Sequence, residues 1–201
     1  MPHAIQLVVD DDLRRSRLTV FFRLLLFVPQ LLWSLAWWML IAGTVPFAWL
    51  IALFTGRVWT DLHDLNARFA RWYTQTTAYL FLLANPYPRF DGRRGYPIDV
   101  EIAPPARQHR LKTAFRLVLA LPAIVFASAL GAVLQVVAVL GWFVCLAIGR
   151  LPRGMRDLGA YCLHFSVQTL AYVLLLTPRY PSITFEPLSS ARSGGAVDPS
   201  G

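Results

Sequence analysis

Charged residues are absent from two long stretches of this 201-residue chain. Residues 24–56 and residues 117–149 contain no Asp, Glu, Lys or Arg over 33 positions each. A helix of about 20 apolar residues already crosses a bilayer, and a charge at the bilayer centre is costly. In a chain that is 56% hydrophobic, this missing charge excludes an ordinary soluble domain and predicts an integral membrane protein.

Residue types with common catalytic and metal-binding roles are also sparse. The two cysteines, Cys145 and Cys162, lie among apolar residues, and the four histidines show no metal-ligand spacing. The sequence has no Gly-rich phosphate loop, no nucleophile elbow and no His-Glu-x-x-His motif. The apolar stretches also lack the carboxylates that a proton relay requires. We therefore predict that the protein is not an enzyme and that it binds no cofactor and no metal.

The chain repeats itself at an offset of 93 residues. Residues 5–90 align with residues 98–183 without a gap. The segment FFRLLLFVPQ at residues 21–30, for example, becomes AFRLVLALPA at residues 114–123. Arg, Asp, Gln, Trp, Gly and Pro residues match in the same register, which predicts two copies of one structural unit.

The repeat defines the domain organisation. The first unit covers residues 1–96 and the second covers residues 97–188, followed by a Ser/Gly-rich tail that is predicted to be disordered, residues 189–201. Each unit begins with a short alternating segment, residues 5–9 or residues 98–102, which has the period of a half-exposed strand.

An apolar stretch and a partly polar helix complete each unit. The first apolar stretch, about residues 19–55, is long enough for two short spans and contains the turn-like Gly-Thr-Val-Pro at residues 43–46. We therefore predict a transmembrane helical hairpin in each unit. The helix that follows, about residues 60–83 in the first unit, carries one apolar stripe. It is either an amphipathic helix at the interface or a third membrane span.

The predicted fold class is an all-α polytopic membrane protein with two tandem transmembrane hairpins and a small cytoplasmic β element. Residues 183–186 form a further candidate strand of that element. Arginines cluster before the first apolar stretch, after each stretch and between the units, whereas the expected hairpin tips have none. Because basic loops prefer the cytoplasm, four spans with both termini inside are favoured. The alternative is six spans arranged as inverted repeats.

Several segments resemble a known family. The segments FFRLLLFVP, FTGR, AYLFLL and YPRF of the first unit, with AFRLVLALP, IGRLPRG and AYVLLLTPRYPSI of the second, resemble a bacterial, mainly actinobacterial, membrane family called domain of unknown function 4389. The resemblance covers nearly the whole chain as two copies, although Gln30 and Ala123 stand where the family pattern has His. It implies a multi-pass protein of the bacterial plasma membrane and adds no chemistry.

Arginines at the edges of the apolar stretches form the first set of candidate site residues. They are Arg17, Arg23 and Arg57, with their repeat partners Arg110, Arg116 and Arg150. Such arginines either mark the membrane boundary by extending to the headgroups or bind a lipid phosphate. For Arg23 and Arg116, a carboxylate such as Asp64 or Asp157 is an alternative partner.

Repeated polar residues of the third helices form the second set. They are Asp64, Asp157, Gln75, Gln168, Tyr79 and Tyr172. The glutamine and tyrosine of each unit are four apart and share a helix face. They either fix helix packing through hydrogen bonds or line a path for a headgroup or a small solute. The aspartates follow Arg57 and Arg150 by seven residues and are expected to pair with them where the helix begins.

These features predict a non-catalytic membrane accessory or scaffold protein. It would associate with anionic lipids and with a larger membrane complex, through an unknown protein partner or a homo-oligomer. The alternative is a small transporter or channel with its pathway between the two repeats. The net charge of +8 is not taken as a sign of nucleic-acid binding, because the basic residues cluster beside the membrane segments.

Overall fold

The computed structural model describes residues 5–9, 17–104 and 113–182 of the chain. Its main elements are, in order, strand β1 (Ile5–Val9), helix α1 (Arg17–Thr55), helix α2 (Thr60–Leu80), strand β2 (Ile98–Ile102), helix α3 (Arg116–Ile148) and helix α4 (Arg153–Val173). The candidate strand at residues 183–186 and the tail at residues 189–201 lie outside the described residues. The protein is mostly helical, as predicted.

Each apolar stretch forms one continuous helix, so the predicted hairpins are wrong. Helix α1 has 39 residues and α3 has 33, and both are long and apolar enough to cross a membrane. Helix α1 continues through the expected turn, where the Thr44 hydroxyl donates to the Leu40 carbonyl at 3.0 Å. A turn at this point would leave backbone groups unpaired in lipid, whereas a continuous helix pairs most of them internally.

Helices α2 and α4 carry the apolar stripes that the sequence predicts, and they lie in the core. The stripe of α2 is buried at Phe69, Trp72 and Tyr79, and that of α4 at Phe165 and Tyr172. Hydrophobic spacing of three and four residues places these side chains on one face of each helix. Both helices are also buried on further sides, because they pack against each other as well as against a long helix and a strand.

The two predicted strands pair with each other across the repeat. They are antiparallel, with Ile5 opposite Ile102 and Leu7 opposite Val100. Leu7 and Val100 are themselves 93 residues apart, so the central pair joins equivalent positions of the two repeats. Strand β2 packs against α2, where Val100 is buried.

Reciprocal contacts join the two repeats at their elbows, the segments 56–59 and 149–152 that connect each long helix to the next helix. Leu82 of the first repeat packs with Leu151 of the second elbow and with Cys145 near the end of α3. Leu175 of the second repeat packs with Val58 of the first elbow and with Ala52 near the end of α1. These three residues of one cluster are each 93 positions from their counterparts in the other. The repeats are therefore related by an approximate twofold axis.

Candidate membrane-binding site

Arg23 is buried near the beginning of α1 and binds the end of α2. One guanidinium nitrogen donates to the Tyr79 carbonyl at 2.7 Å, and the other terminal nitrogen donates to the Ala84 carbonyl at 3.1 Å. The guanidinium also lies 4.3 Å from the centre of the Tyr79 ring. Carbonyl groups at a helix C-terminus lack intrahelical partners, and a cation there interacts favourably with the helix dipole.

Arg116 makes the corresponding contacts in the second repeat. Its Nε donates to the Tyr172 carbonyl at 2.7 Å, and its Nη2 donates to the Thr177 carbonyl. The guanidinium lies 4.1 Å from the centre of the Tyr172 ring. We call Arg23 and Arg116 the arginine clamps, because each joins the beginning of a long helix to the end of the next helix.

The clamps correct one prediction about the arginines. Arg23 and Arg116 are only 2% and 3% exposed, so neither guanidinium extends to lipid headgroups. Each guanidinium instead donates two hydrogen bonds to carbonyl groups of its own repeat, and bonds from a charged donor are the stronger kind. Arg57 and Arg150 are exposed at the two elbows. The side chain of Arg17 and all of Arg110 lie outside the described part of the chain.

The repeated glutamines bind the loops that follow their helices. Gln75 donates through Nε2 to the Arg93 carbonyl at 2.7 Å. Gln168 accepts through Oε1 from the Ser182 N–H at 2.9 Å. Both side chains are buried, as are the phenol rings beneath the clamps. These contacts favour the packing interpretation of the repeated polar residues over the pathway interpretation.

The aspartates do not form the ion pairs expected from their spacing. Asp157 pairs with its neighbour Arg156 at 2.8 Å, and Asp64 lies 3.8 Å from Nδ1 of His63. Within the described ranges, neither aspartate is ion-paired with the arginine seven residues before it. The residues that precede α2 and α4, Trp59 and Pro152, provide no side-chain cap. In the second repeat, Asp157 instead pairs with the residue directly before it, Arg156, on the same turn of α4.

The outer sides of α1 and α3 form a large exposed surface, which we call the apolar face. Among the α1 side chains that the structure describes, the buried ones form a narrow stripe that includes Trp37, Ile41 and Ala48. Most of its other side chains are exposed and apolar, such as Met39 at 77%, and α3 is similar, with Val125 at 69%. Soluble monomers rarely expose apolar patches beyond a few hundred Å². The apolar face is therefore suited to lipid or to another membrane protein.

Aromatic and basic residues border the apolar face in the loop at residues 85–97, which we call the rim loop. The indole N–H groups of Trp33 and Trp37 both donate to the Phe90 carbonyl, at 2.8 and 3.1 Å. Tyr87 and Phe90 are 39% and 41% exposed, next to the exposed Arg89. Aromatic rings beside arginines are typical of the boundary between hydrocarbon and water.

Sequence reasoning missed Gln30, which holds the rim loop against α1. Its side chain is fully buried, donates to the Pro88 carbonyl at 2.8 Å and accepts from the Trp72 indole at 3.1 Å. The signal was present, because Gln30 is the only side-chain amide in residues 24–56. A lone amide in a long apolar stretch must find partners inside the protein.

A groove of about 540 Å³ lies between the repeats. One wall is residues 80–82 with Arg23, and the other is the second half of α3, including Gln135 and Trp142. Apart from Arg23 and Gln135 the lining is apolar. None of the repeated glutamines and tyrosines lines this groove.

His63 of α2 is a buried titratable group outside the long helices. Burial lowers its pKa below the ordinary value of 6.5, and the nearby Asp64 carboxylate opposes that shift in part. Arg71 adds a smaller effect that also lowers the pKa. The neutral imidazole is therefore the form that the folded protein prefers.

Comparison with protein families explains the repeat. A family model described as "Domain of unknown function (DUF4389)" matches residues 17–91 and, a second time, residues 110–184. The chain belongs to the DUF4389 family. The sequence-based prediction of two tandem DUF4389 copies is thereby confirmed. No curated protein and no solved structure matches the chain.

Proposed function

We propose that this DUF4389 protein is a non-catalytic scaffold of the bacterial plasma membrane that binds anionic lipids around its rim. The observation that carries the proposal is the apolar face, which needs a partner as apolar as itself. Residues 24–56 and 117–149 supply nearly all of that surface and contain no charge. Hydrocarbon chains cover such a surface without requiring any specific polar contact.

Basic residues around the apolar face support the choice of anionic lipid. The exposed arginines outside the clamps include Arg57, Arg89, Arg94, Arg150 and Arg179. Each basic residue near an anionic membrane surface contributes about 1 kcal/mol of attraction. The net charge of +8 means that these residues are not cancelled by the acidic ones.

The use of the buried polar groups supports a role without catalysis. Arg23 and Arg116 bind helix-end carbonyls, and Gln30, Gln75 and Gln168 hold loops in place. In the described residues no observation favours the transporter alternative, because the groove between the repeats is almost entirely apolar. The scaffold role further proposes that part of the apolar face contacts a protein partner or a second copy.

Native mass spectrometry of the full-length protein released from lipid nanodiscs tests this proposal. The nanodiscs contain equal amounts of phosphatidylglycerol and phosphatidylcholine, so that retained anionic and zwitterionic lipid can be compared. The proposal expects preferential retention of phosphatidylglycerol, which a variant with Arg89→Gln and Arg94→Gln should weaken about tenfold or more, from about 1 kcal/mol per arginine. The matched control is Gln135→Leu, which changes a polar side chain without changing charge.

Either of two results would contradict the lipid part of the proposal: equal retention of the two lipids, or unchanged preference in the double variant. A stoichiometric protein that co-purifies from the native membrane would identify the partner of the scaffold. A substrate-dependent chemical change catalysed by the purified protein would refute the non-catalytic role.

A further inference from the structure

We infer that α1 and α3 lie in the plane of the membrane, within one leaflet, and do not cross it. The approximate twofold axis then runs along the membrane normal, with the β-sheet on the aqueous side. This inference rests on the proposed membrane association and adds an orientation to it. It replaces a multi-pass protein by a monotopic one.

The strands fix the direction of the twofold axis. Leu7 pairs with Val100, its repeat equivalent, while Ile5 pairs with Ile102 and Val9 pairs with Ile98. The only axis that exchanges two antiparallel strands in this register passes between the members of the central pair, perpendicular to the sheet. The axis of the whole molecule is therefore the normal of this sheet.

The contacts between the repeats show that the long helices run antiparallel. Arg23 marks the beginning of α1, and with Leu82 it lies beside the second half of α3. Arg116 marks the beginning of α3, and the nearby Leu175 packs on Ala52 near the end of α1. A twofold axis makes two helices antiparallel only when the helices lie roughly perpendicular to it. Helices α1 and α3 are therefore roughly parallel to the sheet.

The elements stack in three layers along the axis. Strand β2 packs on α2 and β1 packs on α4, and α2 and α4 pack in turn on α1 and α3. Comparable packing of a strand on α1 or α3 is not found in the described part of the chain. The sheet and the apolar face are thus on opposite sides of the central helix pair. One side of the molecule suits water and the other suits hydrocarbon.

The positions of the charges decide between the two orientations. In the alternative, upright orientation, α1 and α3 cross the membrane. The twofold axis would then lie in the membrane midplane, and the sheet would be level with the centre of the bilayer. Exposed Arg94 and Glu101, close to and within the sheet, and exposed Arg68 on α2 would then face hydrocarbon. With the axis along the membrane normal, the same residues face water or headgroups, and only the apolar face enters the lipid.

The length of the long helices favours the same orientation. Each uncharged stretch has 33 residues, which corresponds to about 50 Å of helix against a hydrocarbon thickness of about 30 Å. An upright helix would tilt steeply or leave apolar side chains in water. A layer of helices lying flat is about 10 Å thick and fits within one leaflet.

Cysteine labelling of the full-length protein in sealed membrane vesicles tests the inference. Right-side-out and inside-out vesicles are used, so that each side of the membrane is probed separately. The parent chain has two buried cysteines, Cys145 and Cys162, and provides the unlabelled background. Three variants are compared: Arg57→Cys and Arg150→Cys at the two exposed elbows, and Gly43→Cys in the middle of α1. A cysteine fits at position 43, because nothing lies within 4 Å of a Cβ there. The probe is a charged, membrane-impermeant maleimide, and a permeant maleimide confirms that each thiol is reactive.

The expected result is that both elbow cysteines are labelled from the same side and that Gly43→Cys is protected from both sides. Labelling of the elbows from opposite sides would overturn the inference, because upright antiparallel helices place them there. Labelling of Gly43→Cys from the side opposite the elbows would also overturn it in favour of a crossing hairpin. Extraction of the parent protein by alkaline carbonate is a separate measurement, and release into the soluble fraction would refute the proposed membrane function itself.

Discussion

Leu82 and Leu175 occupy equivalent positions in the two repeats, and each packs into the elbow of the other repeat. Both residues adopt left-handed backbone conformations, with φ of 63° and 62°. A branched residue in this region is strained, so its side chain must be held by its surroundings. Because each leucine packs among residues of the other repeat, each DUF4389 copy contributes to the core of the other.

Shortening either leucine should destabilise the whole protein. Leu82→Ala and Leu175→Ala each remove a buried side chain, and such changes typically cost about 2–5 kcal/mol. Thermal or denaturant unfolding in mild detergent measures the effect. The matched control is Leu25→Ala on the apolar face, where the side chain is 67% exposed and little change is expected. If the two core variants were as stable as the control, the repeats would be folding independently.

The arginine clamps should matter for stability far more than the exposed arginines at the elbows. Arg23→Ala removes the charged donor from the Tyr79 and Ala84 carbonyls, and a hydrogen bond to a charged group typically contributes about 1.5–3 kcal/mol. Arg57→Ala is the control and should change the unfolding temperature very little, because surface ion contacts contribute little. Arg116→Ala should behave like Arg23→Ala. An effect of Arg23→Ala no larger than that of the control would contradict a clamping role.

Two glycines of the second repeat should respond differently to the same substitution. A Cβ at Gly159 would lie 2.7 Å from Leu83 of the first repeat, whereas a Cβ at Gly131 has nothing within 4 Å. Gly159→Ala should therefore cost about 1–3 kcal/mol through overpacking between the repeats. Gly131→Ala should be neutral or slightly stabilising, because alanine favours the helix. Comparison of their unfolding midpoints checks the close approach of α4 to the first repeat.

Stability should fall as the pH is lowered through the range where His63 titrates. Its pKa is lowered in the folded protein, so the unfolded chain binds the proton more readily. The loss begins as the pH falls towards 6.5, the ordinary value, and is complete below the folded pKa. His63→Asn should flatten the dependence below about pH 7.5, where the unfolded imidazole begins to bind its proton. An identical slope in the variant would show that the Asp64 carboxylate, which raises the pKa of His63, offsets the effects of burial and of Arg71.

The sequence predicts the parts of the fold that depend on local pattern. Alternation of polar and apolar residues around Ile98 and Val100 gives the strand, and the spacing of Phe69, Trp72 and Tyr79 gives the buried stripe of α2. The offset of 93 residues gives the two copies. Each of these signals is local or recurs at a fixed offset, so it can be read without knowing the tertiary structure.

The parts that sequence reasoning missed depend on partners that are distant in the chain. An arginine within an apolar stretch is compatible with a headgroup contact or with a buried acceptor, and only folding brings the Ala84 carbonyl to Arg23. Likewise, Gly43 and Pro46 mark a turn in many soluble proteins, but continuous helical hydrogen bonding is favoured where water is absent. The reciprocal elbow contacts of Leu82 and Leu175 have no local signal at all.

The apolar face and its orientation are tested most directly by spin labels along α1 in lipid bilayers. Labels at Leu25, Met39 and Leu50, which are 67%, 77% and 54% exposed, report collision with oxygen in the hydrocarbon and with a nickel complex in water. A label at the exposed Arg94 serves as the aqueous reference. The account predicts that all three α1 labels lie in hydrocarbon at similar depth. High nickel accessibility along α1 would contradict membrane insertion. A label at Met39 that lies much deeper than the labels at Leu25 and Leu50 would contradict the in-plane orientation, because the two ends of a crossing helix lie near opposite surfaces.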